Sequence, residues 1–126
     1  MSEEYNPAGM KVRREVLGDE YVDRAIGNVT DFTRDFQHLV SDFCWGGVWT
    51  REGLSRRERS ITNLGLLAGL GRFEELKLHV RGALNNGMTP DEIKEVLLQA
   101  AVYCGIPAGI EAFRAASEVI KDYEQG

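Results

Sequence analysis

The chain has 126 residues, of which 43% are apolar and 28% are charged, and its net charge is −5. This length and composition predict one globular domain over residues 1–126 and are unlike those of a disordered protein. The acidic balance argues against a nucleic-acid partner, because sequence-independent phosphate binding needs a basic surface.

The few cysteines and histidines restrict the chemistry further. Cys44 and Cys104 are far apart in sequence and are interpreted as two reduced, mostly buried thiols. Since His38 and His79 are the only histidines, we expect no histidine-rich metal site and no bound metal. The acidic start Met1–Asn6 does not resemble a signal peptide, and no apolar run reaches the roughly 18 residues of a membrane span. We therefore expect a cytoplasmic protein without a membrane partner.

The first part of the chain predicts three helices. Residues 8–17 and 19–28 form the first two, which are separated at Gly18. Thr30 is a suitable cap for the third helix, and Gly46-Gly47 is expected to end it. Apolar residues recur in this third segment at helical spacing, at Phe32, Phe36, Leu39, Val40 and Phe43.

The fourth predicted helix begins at a capping box, Ser55-Arg56-Arg57-Glu58, and ends before Gly71. Two apolar stripes run along it, one formed by Ile61, Leu64 and Ala68 and the other by Leu66 and Leu70. Two such faces indicate burial on more than one side. A central core helix and a helix at an oligomer contact both fit this pattern.

Three further breaks define the remaining helices. Asn85-Asn86-Gly87 stops the fifth helix, and a second capping box, Thr89-Pro90-Asp91-Glu92, starts the sixth. Gly105 and Pro107 separate the sixth helix from the last, which extends to about Asp122 and is expected to turn Ile110, Phe113 and Ile120 inward. No segment shows sustained strand alternation, so the chain is predicted to be all-α with about six to seven helices.

Arg57 is the first candidate for a functional residue. It precedes Ile61 and Leu64 by four and seven residues, which places its charge on the apolar stripe. A charge there needs a partner or an exit to water. Three interpretations remain open: a side chain reaching solvent, a structural pair with a glutamate, or a guanidinium that binds a substrate carboxylate.

Arg72 and His79 are seven residues apart and therefore point to nearly the same side of the fifth helix. His79 is either a half-buried structural histidine or a general acid, since imidazole exchanges a proton near neutral pH. Glu75 lies near both on the helical wheel and either pairs with Arg72 or orients His79. Glu58 is best explained as the capping-box partner of Ser55.

The remaining candidates carry weaker signals. Trp45 and Trp49, followed by Arg51, form a mostly apolar segment that is interpreted as a loop packed on the core, a pocket lid or a subunit contact. Gln99 and Tyr103 are i, i+4 neighbours that can supply polar groups to a pocket. Dinucleotide, phosphate-loop, zinc-protease and serine-hydrolase motifs are all missing from the sequence, so any enzyme here uses no recognisable cofactor.

Residues 45–60, 71–87, 89–95 and 103–108 together resemble the carboxymuconolactone decarboxylase family, and the resemblance covers about residues 16–122. It implies the helical fold of the alkylhydroperoxidase D-like superfamily in a single domain. It also implies a homo-oligomer built from trimers, commonly a hexamer.

The resemblance implies a reaction as well: cofactor-free decarboxylation of 4-carboxymuconolactone, a dicarboxylate lactone, to β-ketoadipate enol-lactone and carbon dioxide in protocatechuate catabolism. On this basis Arg57, with Arg51 or Arg72, is expected to hold the carboxylates, and one of these cations or a backbone N–H to stabilise the enolate. His79 is expected to donate the proton, and the Trp45/Trp49 segment to exclude water.

Two other functions stay open. The superfamily's peroxidases use a CxxC motif followed by a histidine, and here Arg72 and Glu75 stand at the cysteine positions while His79 remains. The superfamily suggests one alternative, a redox protein that uses Cys44 or Cys104. The missing pair of thiols argues against it, because peroxide reduction needs a thiolate nucleophile and a resolving cysteine. A non-catalytic helical oligomer is the other.

Overall fold

The computed structural model describes residues 4–126, and the inference from the acidic start Met1–Asn6 lies partly outside them. Within these residues the secondary structure is helical, which confirms the all-α prediction. The helices are α1 (Pro7–Leu17), α2 (Asp19–Gly27), α3 (Arg34–His38), a π-helical segment (Leu39–Trp49), α4 (Arg56–Leu70), α5 (Phe73–Asn85), α6 (Pro90–Cys104) and α7 (Ile106–Gln125). They form two compact units, Met1–Leu54 and Ser55–Gly126, which are described separately. That the chain is one domain stays a prediction.

In the N-terminal unit, α1 begins with a side-chain cap. The amide of Gly9 donates to Oδ1 of Asn6 at 2.8 Å, which satisfies one of the free N–H groups of the first turn. Gly18 adopts a φ of 93° between α1 and α2, so the predicted separation of these helices is confirmed.

The predicted break at Gly46-Gly47 is wrong, because the π-helical segment continues through both glycines to Trp49. The structural reason for a small residue here is close packing between helices. A Cβ on Gly9 would lie 2.7 Å from the nitrogen of Gly46, and a Cβ on Gly46 would lie 2.9 Å from Cγ of Asn6. The assignment of Thr30 as the cap is also wrong. Thr33 occupies that position, while the amide of Thr30 donates to Oγ1 of Thr33.

A buried arginine links α1 to the following helical stretch. Arg13 is 4% exposed, and its Nη1 donates to Oε1 of Gln37 at 2.6 Å and to Oγ of Ser41 at 3.1 Å. Burial lowers the pKa of Arg13, with Tyr21 and other neighbours partly opposing the effect. Two neutral side chains thus solvate this cation inside the N-terminal unit.

In the C-terminal unit both predicted capping boxes are present. The amide of Glu58 donates to Oγ of Ser55 at 3.1 Å, and the Ser55 amide donates to Oε1 of Glu58 at 2.8 Å. The corresponding distances between Thr89 and Glu92 are 3.2 and 2.9 Å. These reciprocal bonds satisfy amides that have no partner inside the helix, so they define where α4 and α6 start.

The core of the C-terminal unit is formed by all four of its helices. Its buried members are Leu64, Ala68, Leu76, Val80, Ala83, Met88, Ile93, Leu97, Ala112, Ala115 and Ala116. Only one of the two predicted apolar stripes of α4 contributes, since Leu66 and Leu70 are exposed. The expectation that Ile110 points inward is wrong, because its side chain is also exposed. No helix in residues 4–126 has both the length and the hydropathy needed to span a membrane.

Candidate active site

Arg57 forms a salt bridge with Glu92, through its Nη2 and the Oε2 of the glutamate. The pair joins the first turn of α4 to the first turn of α6, where Glu92 also accepts from the amide of Thr89. Both side chains are about 40% exposed. Of the three interpretations of Arg57, the glutamate pair is therefore observed, and the exposed guanidinium can still meet a ligand from solvent.

His79 lies half-buried on α5 and faces α4. Its Nδ1 is 3.4 Å from the side-chain nitrogen of Asn63. One turn earlier on α4, Ser60 is buried and accepts from the side-chain nitrogen of Asn86 at 2.9 Å. A polar line therefore follows the α4–α5 interface, built from Ser60 and Asn63 on α4, from His79 on α5 and from Asn86, the C-cap residue of α5.

The protonation of His79 differs from the sequence-based expectation of exchange near neutral pH. Desolvation lowers the pKa of His79 to about 4, and the negative charge of Glu75 only partly opposes this. The imidazole is therefore neutral at pH 7 in the free protein. It acts as a general acid only if a bound anion raises its pKa.

Arg72 and Glu75 both precede His79, at the start of α5, and the shared side of Arg72 and His79 stays a prediction. Arg72 is the N-cap residue of α5 and follows Gly71, whose φ of 74° ends α4. Both Arg72 and Glu75 are exposed. The negative charge of Glu75 raises the pKa of His79, against the larger effect of desolvation, and whether Glu75 orients the ring stays a prediction.

Gln99 and Tyr103 line a groove between α4 and α6 with a volume of about 340 Å³. Thr62 adds a hydroxyl, and the other lining residues are Ile61, Gly65, Leu66, Val96 and Ala100. The groove thus contains the two weakest site candidates. His79 is not among the lining residues, so the structure does not bring these candidates together with the histidine.

Trp45, Trp49 and Arg51 belong to the N-terminal unit. The two tryptophan rings stack with centroids 4.7 Å apart, and both side chains are buried. Their segment is helical and not the loop expected from sequence. Arg51 follows it and is exposed.

The cysteines differ from the expected pair of buried thiols. Both are free, but Cys44 is half-buried and Cys104 is exposed. Burial raises the pKa of the Cys44 thiol, and Arg13 opposes this only in part. A raised pKa keeps the thiol protonated at pH 7, and a protonated thiol is a weak nucleophile toward peroxides.

Comparison with known proteins identifies the family. The sequence profile described as "Carboxymuconolactone decarboxylase family" matches residues 34–118, which include Arg57, Arg72, Glu75 and His79. The chain belongs to this family. The resemblance noted from sequence is thereby confirmed, and the all-helical fold agrees with it.

Two named relatives extend the match beyond the profile. The chain is 47% identical over 114 residues to a 4-carboxymuconolactone decarboxylase of Acinetobacter baylyi, covering 90% of this chain and 85% of the relative. It is 52% identical over 114 residues to the nitrosuccinic acid decarboxylase npaB of Metarhizium robertsii, covering 90% and 80%. Both relatives are named as decarboxylases, and their printed substrates differ.

Asn63, a polar neighbour of His79, is not among the candidates that the sequence pattern indicated. Its position on α4 gave a usable signal, since Asn63 adjoins Leu64 of the buried stripe and lies seven residues after Arg56 on a similar side of the helix. The partner residue, His79, is sixteen positions away on another helix, so the pairing is a property of the fold.

Proposed function

We propose that this chain is a carboxy-lyase that converts 4-carboxymuconolactone to β-ketoadipate enol-lactone and carbon dioxide without a cofactor. The observation that carries the proposal is the 47% identity to a decarboxylase of that name over 90% of the chain. The family's lactone has two carboxylates, and the C-terminal unit has exposed arginine side chains and a partly buried histidine within the matched region.

The chemistry needs no cofactor because the substrate accepts its own electrons. When the carbon–carboxylate bond breaks, the electron pair passes through the ring double bond to the lactone carbonyl, giving an enolate, and carbon dioxide leaves. One proton then adds to the carbon beside the carbonyl. The protein must bind the remaining carboxylate, stabilise the enolate oxygen and supply that proton.

We assign these tasks to residues as follows. Arg57, with Arg51 or Arg72, binds the carboxylates, and one of these cations or a backbone amide stabilises the enolate, an interaction typically worth about 3 kcal/mol. His79 donates the proton, an effect typically of ~10²–10⁴-fold. Because its pKa is about 4 in the free protein, His79 must take up a proton as the dianion binds, since nearby negative charge favours the imidazolium. Trp45 and Trp49 remain candidates for excluding water, and Gln99 and Tyr103 for polar contacts to substrate.

Nitrosuccinate is the second candidate substrate, favoured by the 52% identity to a nitrosuccinic acid decarboxylase. The two molecules share the features that matter here: two carboxylates and a group that stores the electron pair, which is the nitro group in nitrosuccinate. The same arginines and histidine would therefore serve both reactions, and the shape of the electron-accepting group would decide between them.

The decisive experiment measures carbon dioxide release from each substrate by the purified full-length chain, with chelator and a thiol-blocking reagent added in parallel. We expect catalysed release from 4-carboxymuconolactone, unchanged by either reagent, and a lower kcat/KM on nitrosuccinate. The His79→Gln variant should lose at least about 100-fold in kcat with a smaller change in KM. A higher kcat/KM on nitrosuccinate would reassign the substrate, and sensitivity to the thiol reagent would favour the redox alternative.

We also propose that the chain forms a homo-oligomer, built from trimers as in the family. The support is an apolar surface at one end of the C-terminal unit, which we call the α4/α6 end face. A Cβ on Gly69 would lie 3.0 Å from Sγ of Cys104, so the last turns of α4 and α6 are adjacent. The exposed apolar side chains on α4, on the second half of α6 and at the start of α7 are Leu66, Leu70, Leu98, Val102, Tyr103, Ile106 and Ile110. Large contiguous apolar patches on a folded chain mark interaction sites.

A further inference from the structure

The contact between Asn63 and His79 fixes which edge of the imidazole is engaged by the protein. The side-chain nitrogen of Asn63 lies 3.4 Å from Nδ1, and an amide nitrogen only donates, so Nδ1 accepts. We propose that Asn63 is a positioning residue for His79: it holds the neutral ring in the tautomer protonated at Nε2, so that Nε2 is the atom that serves the substrate. This inference rests on the proposed function, because it assumes that His79 meets a substrate.

An asparagine suits both protonation states of the histidine. In the free protein the pKa of about 4 keeps His79 neutral, and Nδ1 then needs a hydrogen-bond donor. When a bound dianion raises the pKa, the second proton adds at Nδ1, and the amide can turn so that its oxygen accepts. The Nε2 proton then passes to the substrate carbon as carbon dioxide leaves, and the ring is left neutral with its proton on Nδ1. Gain of a proton from solvent at Nε2 and loss of the Nδ1 proton to solvent restore the starting tautomer, in which Nδ1 again accepts from Asn63. An aspartate can only accept from the ring, and a leucine can do neither.

The neighbouring contacts hold Asn63 at a defined place in the interface. Ser60 lies one turn before Asn63 on α4 and is buried. The side-chain nitrogen of Asn86 donates to Oγ of Ser60 at 2.9 Å and to the carbonyl of Arg56 at 3.4 Å. These bonds tie the end of α5 to the first turns of α4. The register between the helices, and with it the approach of Asn63 to His79, is therefore set by contacts that do not involve the histidine.

The chain contains an internal control in its other histidine. Nδ1 of His38 lies 3.1 Å from Oδ2 of Asp42, and a carboxylate oxygen accepts, so this ring is expected to carry its proton on Nδ1. The two histidines of the chain should thus show opposite neutral tautomers.

The test combines 15N NMR of the imidazoles in the full-length protein, without substrate and at alkaline pH where imidazole is neutral, with steady-state kinetics. We expect His79 to be protonated at Nε2 and His38 at Nδ1 in the wild type. In Asn63→Leu the His79 signals should shift toward a tautomer mixture while those of His38 stay unchanged. On the lactone, Asn63→Leu should lose at least tenfold in kcat with KM within about threefold, and Asn63→Gln should recover part of the loss.

Each possible result bears on the proposal. A His79 ring protonated at Nδ1 in the wild type, or a tautomer unchanged by Asn63→Leu, overturns it. So does an Asn63→Leu variant that keeps the wild-type kcat. Asn63→Asp gives an independent check should the leucine variant not fold, because the carboxylate should move the proton to Nδ1. Failure of the wild type to turn over the lactone would instead overturn the proposed function. The NMR measurement needs no substrate, so it tests the tautomer of His79 independently of that failure.

Discussion

Arg57 is a half-exposed guanidinium whose protein partner is Glu92, at the opposite capping box. Its spacing from Ile61 and Leu64 predicted a charge beside the apolar stripe of α4, and therefore a need for a partner or for solvent. The identity of the partner could not be predicted, because Glu92 is 35 residues away and becomes a neighbour only when α4 packs on α6.

Replacing Arg57 separates its two contacts. Arg57→Ala should raise KM for the lactone at least tenfold with kcat within about threefold, because it removes binding common to the ground and transition states. The melting temperature should change little, since exposed ion pairs contribute about 0–1 kcal/mol. Glu92→Gln is the matched control: it keeps a capping side chain at α6 and releases the guanidinium, so KM should stay the same or fall. An unchanged KM in Arg57→Ala would remove Arg57 from the binding site.

His79 shows what sequence can and cannot say of a site. The seven-residue spacing predicted that Arg72 and His79 share one side of α5, and in the structure Arg72 is the N-cap residue of that helix, so the shared side stays a prediction. The pKa depends on how much of the ring α4 and α5 remove from water, and no local pattern encodes that. The expectation of a histidine poised near neutral pH therefore differed from the structure.

The lowered pKa predicts a pH-dependent stability. Above pH 6.5 the imidazole is neutral in both the folded and the unfolded chain, so it carries no penalty. Between pH 6.5 and about 4 the unfolded chain binds the proton more readily, so the free energy of unfolding falls as pH falls. The total effect is at most about 3 kcal/mol, because the ring is only partly removed from water. Urea unfolding of wild type and His79→Gln from pH 8 to 4 measures it, and parallel curves for the two proteins would contradict the lowered pKa.

At the level of elements, the sequence correctly predicted the helix ends that are determined by residues adjacent in the chain. The Ser55–Glu58 and Thr89–Glu92 capping boxes and the stops at Gly18 and Gly71 were predicted and are present, since each is decided within a few residues. The break at Gly46-Gly47 was wrong for the opposite reason. There the glycine permits α1 to approach the π-helical segment, and that contact joins residues 37 positions apart.

The close approach gives a stability prediction with a matched control. A Cβ at Gly9 would come 2.5 Å from the carbonyl oxygen of Ser41 and 2.7 Å from the nitrogen of Gly46, both backbone atoms that cannot move aside. Gly9→Ala should therefore lower the free energy of unfolding by about 1–3 kcal/mol, the usual cost of overpacking. At Gly27, in α2, a Cβ meets nothing within 4 Å, so Gly27→Ala should change the free energy of unfolding by less than about 1 kcal/mol. Urea melts of both variants decide the matter, and equal stabilities would show that α1 can shift away.

On the scale of the whole molecule, α4 illustrates a limit of pattern analysis. Its two apolar stripes predicted burial on more than one side, and the sequence could not say whether the second side faces the same chain or another. Leu64 and Ala68 are buried within the C-terminal unit, whereas Leu66 and Leu70 are exposed together with the apolar end of α6. The core-helix interpretation thus accounts for one stripe, and the other fits the proposed oligomer contact.

Charges placed on the α4/α6 end face should therefore weaken assembly. Val102 and Ile106 are 78% and 65% exposed, so aspartate at both positions costs the isolated chain little, yet it would bury two unpaired charges in a subunit contact. In Val102→Asp/Ile106→Asp the light-scattering mass should fall from a multiple of three chains toward 14.1 kDa, with helical content preserved. Lys121→Asp, an exposed change on α7, controls for added negative charge and should leave the mass unchanged. If the double variant keeps the wild-type mass, this face is not the contact, and the exposed aromatic residues around Phe36 in the N-terminal unit become the next candidates.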